Sequence, residues 1–383
     1  MIPYSHQSIS KADIETVVKV LNSDFLTQGK EVPAFESSIS EYVGARFASA
    51  VNSATSALHI ACLAMGLQKN DILWTSPISF VASANCGLYC GAKVDFVDID
   101  PLTWNLSIEK LELKLIDAKK EGLLPKIIVA VHLCGLPCDM KSLRNLSIEY
   151  GFKVLEDASH AIGGDYENNR IGSCQYSDAT VFSFHAIKGI TTGEGGMVIT
   201  NDEEISNNVE LYRNHGISRD EGLMTSLSDG PWYYQQILLG FNYRMTDIQA
   251  ALGRSQLTRL DSFISKRHDL AKIYDENLSD LPLKFQRNEL GSYSGMHLYV
   301  VRLNNSNKSR KEVFENLRGM KIGVNVHYIP IHLQPFYKQF GFKEGQFPES
   351  ESYYKEAISL PIYPDLTYKE IKKVVEKLRV ALE

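Results

Sequence analysis

Two segments of the sequence combine residue types that could carry covalent and acid–base chemistry. Residues 156–161 (Glu-Asp-Ala-Ser-His-Ala) place Asp157 just after a β-rich run, and residues 183–188 (Ser-Phe-His-Ala-Ile-Lys) end on Lys188. A glycine-rich turn, Thr-Thr-Gly-Glu-Gly-Gly at 191–196, follows directly. A lysine amine can bond to an aldehyde, a carboxylate can keep a ring nitrogen protonated, and a hydroxyl can bind phosphate. These are the groups that pyridoxal phosphate requires of a protein.

Each of these residues has a more ordinary interpretation when it is taken alone. A lysine in a loop is usually a solvated charge, and an aspartate after a strand is often a helix cap. Their order on consecutive strand ends favours the chemical interpretation. Residues 52–58 (Asn-Ser-Ala-Thr-Ser-Ala-Leu) add a strand-to-helix turn whose free N–H groups and helix dipole suit an anion, although a simple cap has the same pattern.

The elements that must position these residues alternate in type over residues 45–202. Short apolar runs are separated by helical stretches, which predicts a largely parallel sheet with helices on both faces. Ligands of such sheets bind at the carboxyl ends of the strands, so the loops after Val51, Leu155 and Phe184 are expected to converge. The predicted strands are 48–51, 94–99, 127–131, 153–156, 179–184 and 197–200.

Two domains are predicted from the change of pattern near residue 262. We expect a large α/β domain at residues 1–261, with a mostly parallel mixed sheet, and a smaller C-terminal α+β domain at residues 262–383. Further predicted elements are a helix beginning after Thr246, strands at 297–301 and 323–328, and a last helix from about Tyr368.

The composition is that of an ordinary globular protein, with 44% hydrophobic and 22% charged residues among 383. A net charge of −6 gives no indication of a nucleic-acid or membrane partner. The sequence has no signal peptide and no apolar run that could cross a bilayer, so a cytoplasmic location is expected. We predict neither a disulfide nor a metal site from the cysteines, which are Cys62, Cys86, Cys90, Cys134, Cys138 and Cys174.

Taken together, the motifs resemble those of the DegT/DnrJ group of nucleotide-sugar aminotransferases, in the expected order and over nearly the whole chain. The resemblance implies a fold-type-I transferase that uses pyridoxal 5′-phosphate, in which two subunits of a homodimer build each active site. The segments that carry it are 52–58, 96–101, 156–161, 183–188, 193–197, 240–245 and 326–328.

The resemblance also implies roles for individual residues. Lys188 would bond to the cofactor aldehyde, Asp157 would pair with the ring nitrogen, and both would be catalytic. Phe80 would stack on the ring, although a core phenylalanine explains it nearly as well. Gly189 stands where the family usually has proline, which predicts a looser turn. The other implied cofactor contacts are His160 near the phenolic oxygen, Ala54, Thr55 and Ser183 at the phosphate, and Asn242 from the neighbouring subunit.

Within this family, the N-terminal segment of about residues 1–30 is most similar to the members that aminate C4 in pseudaminic acid synthesis. The implied reaction transfers an amino group from L-glutamate to the C4 ketone of a UDP-linked 4-keto-6-deoxy-N-acetylhexosamine. The implied substrate contacts are Tyr4, Asp24, Phe25, Leu26, Thr27, His327, Tyr328 and Ile329.

Several alternatives remain open on the sequence. The acceptor could be another UDP- or dTDP-linked keto sugar, aminated at C3 or C4. A related sugar dehydratase would carry histidine in place of Lys188, and a non-catalytic cofactor-binding regulator would carry a basic DNA-binding segment, which the sequence lacks. The segment 217–239 is long for a connection and is either a mobile flap or an interface.

Overall fold

Strands form the centre of the computed structural model, which describes residues 1–288 and 291–383. The strands are β1 (Phe47–Val51), β2 (Ile72–Thr75), β3 (Lys93–Phe96), β4 (Ile127–Val131), β5 (Lys153–Asp157), β6 (Asp165–Tyr166), β7 (Asn169–Arg170), β8 (Ala179–Ser183), β9 (Gly196–Thr200), β10 (Ile217–Ser218), β11 (Gln235–Gln236), β12 (Leu283–Phe285), β13 (Tyr299–Leu303) and β14 (Ala357–Leu360).

The main sheet has the strand order β1-β9-β8-β5-β4-β2-β3. Strand β9 pairs antiparallel with both of its neighbours, whereas the pairs from β8 to β3 are all parallel. The predicted mostly parallel mixed sheet is therefore confirmed. The six strands predicted for this region are present, with ends that differ by up to three residues.

Helices cover the sheet, and no helix in the described ranges combines the length and apolarity needed to cross a membrane. The helices are α1 (Lys11–Leu21), α2 (Glu31–Val43), α3 (Ala54–Ala64), α4 (Ala82–Tyr89), α5 (Ile108–Glu121), α6 (Met140–Tyr150), α7 (Glu203–Arg213), α8 (Asp247–Leu257), α9 (Leu260–Leu278), α10 (Arg310–Gly319), α11 (Pro335–Lys338), α12 (Pro348–Glu356) and α13 (Tyr368–Leu382). The helices predicted to begin after Thr246 and near Tyr368 are thereby confirmed.

The two faces of the main sheet bury separate hydrophobic cores, because neighbouring side chains of a strand point to opposite faces. In β4, Ile128 and Ala130 join the core that includes α2, α5 and α6. Ile127, Val129 and Val131 join the core that includes α3, α4 and α7. The main sheet is thus covered by helices on both faces. A ligand can therefore reach the sheet only at the ends of its strands.

A third core lies around the antiparallel sheet β12-β13-β14 and helices α10 and α13. Helix α9 contributes to two cores, since Leu260 and Ile264 pack against the main sheet and Tyr274 and Leu278 pack in the third core. Ile2 also packs in the third core, far along the chain from its other members. The predicted domain boundary between residues 261 and 262 remains a prediction.

The strand predicted at residues 323–328 was wrong. Only Asn325 makes a bridge, to Ser359 of β14. The successive residues His327 and Tyr328 both line the same cavity, which a regular strand with alternating side chains does not allow. The apolar pattern of this segment thus reflects a loop that lines a site.

Candidate active site

A cavity of about 680 Å³ opens at the carboxyl ends of β1, β5 and β8. The loops after these strands converge there, as the alternating pattern predicts. Many of the predicted site residues line it together. They are Tyr4, Ala54, Thr55, Phe80, Asp157, His160, Ser183, Lys188, His327 and Tyr328.

The other predicted site residues lie outside the lining of this cavity in the single chain. Asn242 is exposed and pairs with Asn214. The segment 24–27 is exposed throughout, and Ile329 is 44% exposed. The chain's own fold therefore brings neither Asn242 nor this N-terminal segment to the Lys188 of the same subunit.

Asp157 is the last residue of β5 and is buried at the floor of the cavity. Its Oδ2 accepts a hydrogen bond from Ser83 Oγ at 2.5 Å, and its Oδ1 accepts one from Ser159 Oγ at 2.6 Å. The Ser159 N–H also donates to Oδ1 at 3.2 Å. Among the described residues, no arginine or lysine donates a hydrogen bond to this carboxylate. Its hydrogen-bond partners are therefore the serine hydroxyls and a backbone N–H.

Lys188 lies in the turn after β8 and faces the same cavity. Burial lowers the pKa of Lys188 to about 8, and the charge of Asp157 acts in the opposite direction. A substantial fraction of the amine is therefore neutral, and nucleophilic, near physiological pH. A Cβ on Gly189 would meet Ile162 Cγ2 at 2.7 Å, so the main chain after Lys188 packs closely against that side chain.

Three buried histidines, His160, His297 and His327, line the same cavity as the lysine. Tyr328 Oη lies 3.1 Å from His160 Nε2, and the His160 ring lies 4.5 Å from that of His297. Burial, and then the charge of Lys188, hold the pKa values of His160 and His297 well below the usual range, and the same causes lower that of His327 to about 4. The three rings are therefore neutral near pH 7.

The Nδ1 atoms of His160 and His297 are buried without a hydrogen-bond partner among the described residues. Because buried polar atoms normally have partners, such atoms beside a cavity are consistent with a bound polar molecule. His297 was missed by the sequence reasoning, which assigned it only to a strand. No local pattern distinguishes it from a core histidine.

The amino end of α3 lines the cavity. Ser53 caps the helix and accepts a hydrogen bond from the Ser56 N–H at 3.1 Å. The N–H groups of Ala54 and Thr55 in the first turn have no acceptor within the helix. The serine cap is therefore present, and it leaves these two donors without an intrahelical acceptor. The anion-binding interpretation of residues 52–58 stays a prediction.

Gly196 explains why the glycine-rich turn precedes β9. A Cβ at this position would lie 2.5 Å from the carbonyl carbon of Ser53 and 2.6 Å from the nitrogen of Ala54. Only glycine therefore lets β9 pack directly beneath the first turn of α3. Ser183, at the end of β8, keeps its hydroxyl hydrogen available for an acceptor, because among the described residues its Oγ accepts only a long 3.4 Å bond from the His185 N–H.

These groups fit pyridoxal phosphate. The cavity offers an amine for the aldehyde, a buried carboxylate for the ring nitrogen, and a helix amino terminus with a hydroxyl for the phosphate. Phe80 is 58% exposed beside the cavity, which rules out the alternative of a core phenylalanine and leaves its ring face free for stacking.

Residues 7–379 match the family described as the DegT/DnrJ/EryC1/StrS aminotransferase family. The match covers nearly the whole chain. The chain belongs to this aminotransferase family.

Relatives with more specific names are similar over their full lengths. The chain is 38% identical over 385 residues to the spore coat polysaccharide biosynthesis protein SpsC of Bacillus subtilis, covering 99% of this chain and 96% of that protein. It is 37% identical over 386 residues to the UDP-4-amino-4,6-dideoxy-N-acetyl-beta-L-altrosamine transaminase of Campylobacter jejuni, covering 100% and 98%.

A solved structure has the same fold. Helicobacter pylori PseC, an aminotransferase involved in the biosynthesis of pseudoaminic acid, superimposes with a TM-score of 0.89 at 33% identity. The match covers 100% of this chain and 99% of that chain. The predicted α/β aminotransferase fold is therefore confirmed.

Gly196→Ala tests the close packing beneath α3. The added methyl group must displace the first turn of the helix, so we expect affinity for pyridoxal phosphate to fall about tenfold or more, as loss of a charge-assisted hydrogen bond would cause. The free energy of unfolding should fall by about 1–3 kcal/mol. Fluorescence titration and urea denaturation measure the two quantities.

Gly319→Ala is the matched control, because a Cβ at Gly319 meets nothing within 4 Å. It should leave cofactor affinity unchanged. Wild-type affinity in the Gly196→Ala variant would contradict the assignment of this turn to anion binding.

Proposed function

We propose that the protein is a pyridoxal 5′-phosphate-dependent nucleotide-sugar aminotransferase. Its donor would be L-glutamate and its acceptor the C4 ketone of a UDP-linked 4-keto-6-deoxy-N-acetylhexosamine, as in pseudaminic acid-type sugar biosynthesis. The observation that carries the proposal is the convergence of Lys188, Asp157 and the amino end of α3 on one cavity. The names of the Campylobacter jejuni and Helicobacter pylori relatives support the choice of sugar.

Lys188 and Asp157 have the central roles in this proposal. When bound, the cofactor supplies an electron sink for a carbanion next to the transferred nitrogen. Lys188 Nζ would hold the cofactor aldehyde. Because burial lowers the pKa of Lys188 to about 8, its free amine can accept a proton at a substrate carbon and return it near neutral pH.

The remaining cofactor residues would hold the ring and the phosphate. The N–H groups of Ala54 and Thr55 and the hydroxyl of Ser183 would donate to phosphate oxygens. Phe80 would stack on one face of the ring. His160, whose Nε2 is paired with Tyr328, would lie near the phenolic oxygen.

The sugar would bind where Tyr4, His327 and Tyr328 line the cavity. The rings of Tyr4 and His327 lie 5.5 Å apart, and Ser359 Oγ fixes the His327 ring at 2.7 Å from Nδ1. These residues come from the N-terminal segment and from a loop bridged to β14, so two segments far apart in the chain would jointly enclose the acceptor side.

A homodimer would complete each site. Segment 217–239, which contains β10 and β11, exposes Leu227, Trp232 and Leu239 at 95%, 69% and 78%. Exposed apolar side chains in this density mark a protein-binding surface. We therefore place segment 217–239 at the interface, where a second copy would supply Asn242 and residues 24–27 to the neighbouring cavity.

A second candidate keeps the reaction and changes the sugar. Similarity to a spore coat polysaccharide protein, at 38% identity, favours no particular acceptor. Transfer to C3 or C4 of another UDP- or dTDP-linked keto sugar would use the same cofactor residues. Incubation with glutamate and a panel of these acceptors, followed by mass spectrometry, separates the candidates.

Cofactor capture by Lys188 should depend on pH. Only the neutral amine attacks an aldehyde, so the capture rate should rise with pH and level off above about 8. A lysine with the ordinary pKa of 10.5 would give a rate that keeps rising. Stopped-flow absorbance of the cofactor-free protein mixed with pyridoxal phosphate measures this profile.

Borohydride reduction and peptide mapping identify the lysine that reacts. The label should lie on Lys188, and Lys188→Ala should lose both the label and turnover. Lys266→Ala, which removes an exposed lysine of α9, is the control and should behave like the wild type. A label on any other lysine would overturn the assignment.

Mixed dimers test whether sites are shared between subunits. Lys188→Ala and Asn242→Ala should each be nearly inactive alone. Coexpressed, they should recover roughly a quarter of wild-type activity, because half of the random dimers are mixed and each mixed dimer has one complete site. Activity no higher than that of the separate variants would contradict the shared site.

A further inference from the structure

The carboxylate of Asp157 is held by serine hydroxyls from two different elements. Ser83 belongs to α4 and donates to Oδ2, whereas Ser159 follows β5 and donates to Oδ1. Each carboxylate oxygen thus accepts one short bond from a hydroxyl. Neither serine was predicted as a site residue.

The bond from Ser83 continues to a third serine. Ser79 Oγ lies 2.6 Å from Ser83 Oγ, and both side chains are buried. Because the single hydrogen of Ser83 goes to Asp157, Ser83 accepts from Ser79. The three residues form a one-directional chain, Ser79 to Ser83 to Asp157, in which each bond polarises the next.

This arrangement fixes the direction of the Asp157 carboxylate, because donors from two different elements bind its two oxygens. A carboxylate has about four lone-pair sites, so the two hydroxyls and the Ser159 N–H still leave a place for another donor. That place faces the cavity, where Asp157 is part of the lining.

We propose that Ser83 and Ser159 are positioning residues that hold the Asp157 carboxylate aimed at the ring nitrogen of bound pyridoxal phosphate, so that this nitrogen retains its proton. The inference rests on the proposed function. Without Ser83, the carboxylate loses one of the donors that fix its direction and no longer lies in line with the ring nitrogen, which then gives up its proton to solvent. The ring then loses its positive charge and with it much of its capacity as an electron sink.

The test is the ¹⁵N chemical shift of ring-labelled pyridoxal phosphate bound to the intact protein. In the wild type, the shift should lie at the protonated position. In Ser83→Ala and Ser159→Ala, it should move toward the unprotonated position of the free cofactor at high pH. The kcat should fall about tenfold or more in Ser83→Ala, while KM for the sugar stays within about twofold.

Two variants separate this role from a structural one. Ser147→Ala removes a similarly buried hydroxyl in α6, which donates to the Phe152 carbonyl. This variant should leave the ¹⁵N shift at the wild-type position. Ser159→Thr keeps the hydroxyl and should restore the protonated position. Ser159 is half-buried, so the added methyl group has room.

The outcomes distinguish the inference from the function on which it rests. If the wild type gives no bound-cofactor signal, the proposed function fails. If the wild type binds cofactor but the shift stays at the protonated position in both Ser83→Ala and Ser159→Ala, the function stands and the role of the serines is overturned.

Discussion

Two ionisable groups, the buried Asp157 carboxylate and the half-buried Lys188 amine, share one cavity in which both have lost part of their contact with water. Removing a charge from water is costly, so the surrounding residues must either stabilise each charge or allow it to be lost. The fold uses both solutions. Serine hydroxyls stabilise the carboxylate, whereas burial lowers the pKa of the lysine to about 8, so that its neutral form is readily reached. His160 and His297 carry no charge near pH 7, because burial and the charge of Lys188 hold their pKa values well below the usual range.

The main sheet makes this concentration of groups possible. Strands β5 and β8 are parallel neighbours, with Asp157 paired in register with Val181, so the ends of the two strands open at one edge. Strand β9 then returns antiparallel between β8 and β1, and Gly196 lets it pass beneath the first turn of α3. The carboxylate, the turn that carries the amine and the first turn of α3 are therefore all positioned by the strand ends of a single sheet.

The sequence predicted the features that are local. The alternation of strands and helices, Asp157 and Lys188 at strand ends, and the small-residue turn before α3 are all visible as short patterns. The strand predicted at 323–328 was wrong, because the segment is a loop that presents both His327 and Tyr328 to the cavity. The spacing of apolar residues in a sequence does not show which of them face a ligand. Ser83 was missed because its partner, Asp157, lies 74 positions away in the sequence. His297 was missed because only the folded chain brings it beside His160. The roles proposed for Asn242 and residues 24–27 would require a second copy, which a single chain does not contain.

The central claim is that this cavity transfers nitrogen from glutamate to C4 of a UDP-linked keto sugar. Its most direct test is to supply [¹⁵N]glutamate with UDP-linked 4-keto-6-deoxy-N-acetylhexosamine and to locate the label in the product by ¹H–¹⁵N correlation NMR. The account predicts one ¹⁵N per sugar, bonded to C4, with an equal amount of 2-oxoglutarate. Label at another carbon would contradict the proposed acceptor position, and 2-oxoglutarate without labelled sugar would contradict the proposed acceptor.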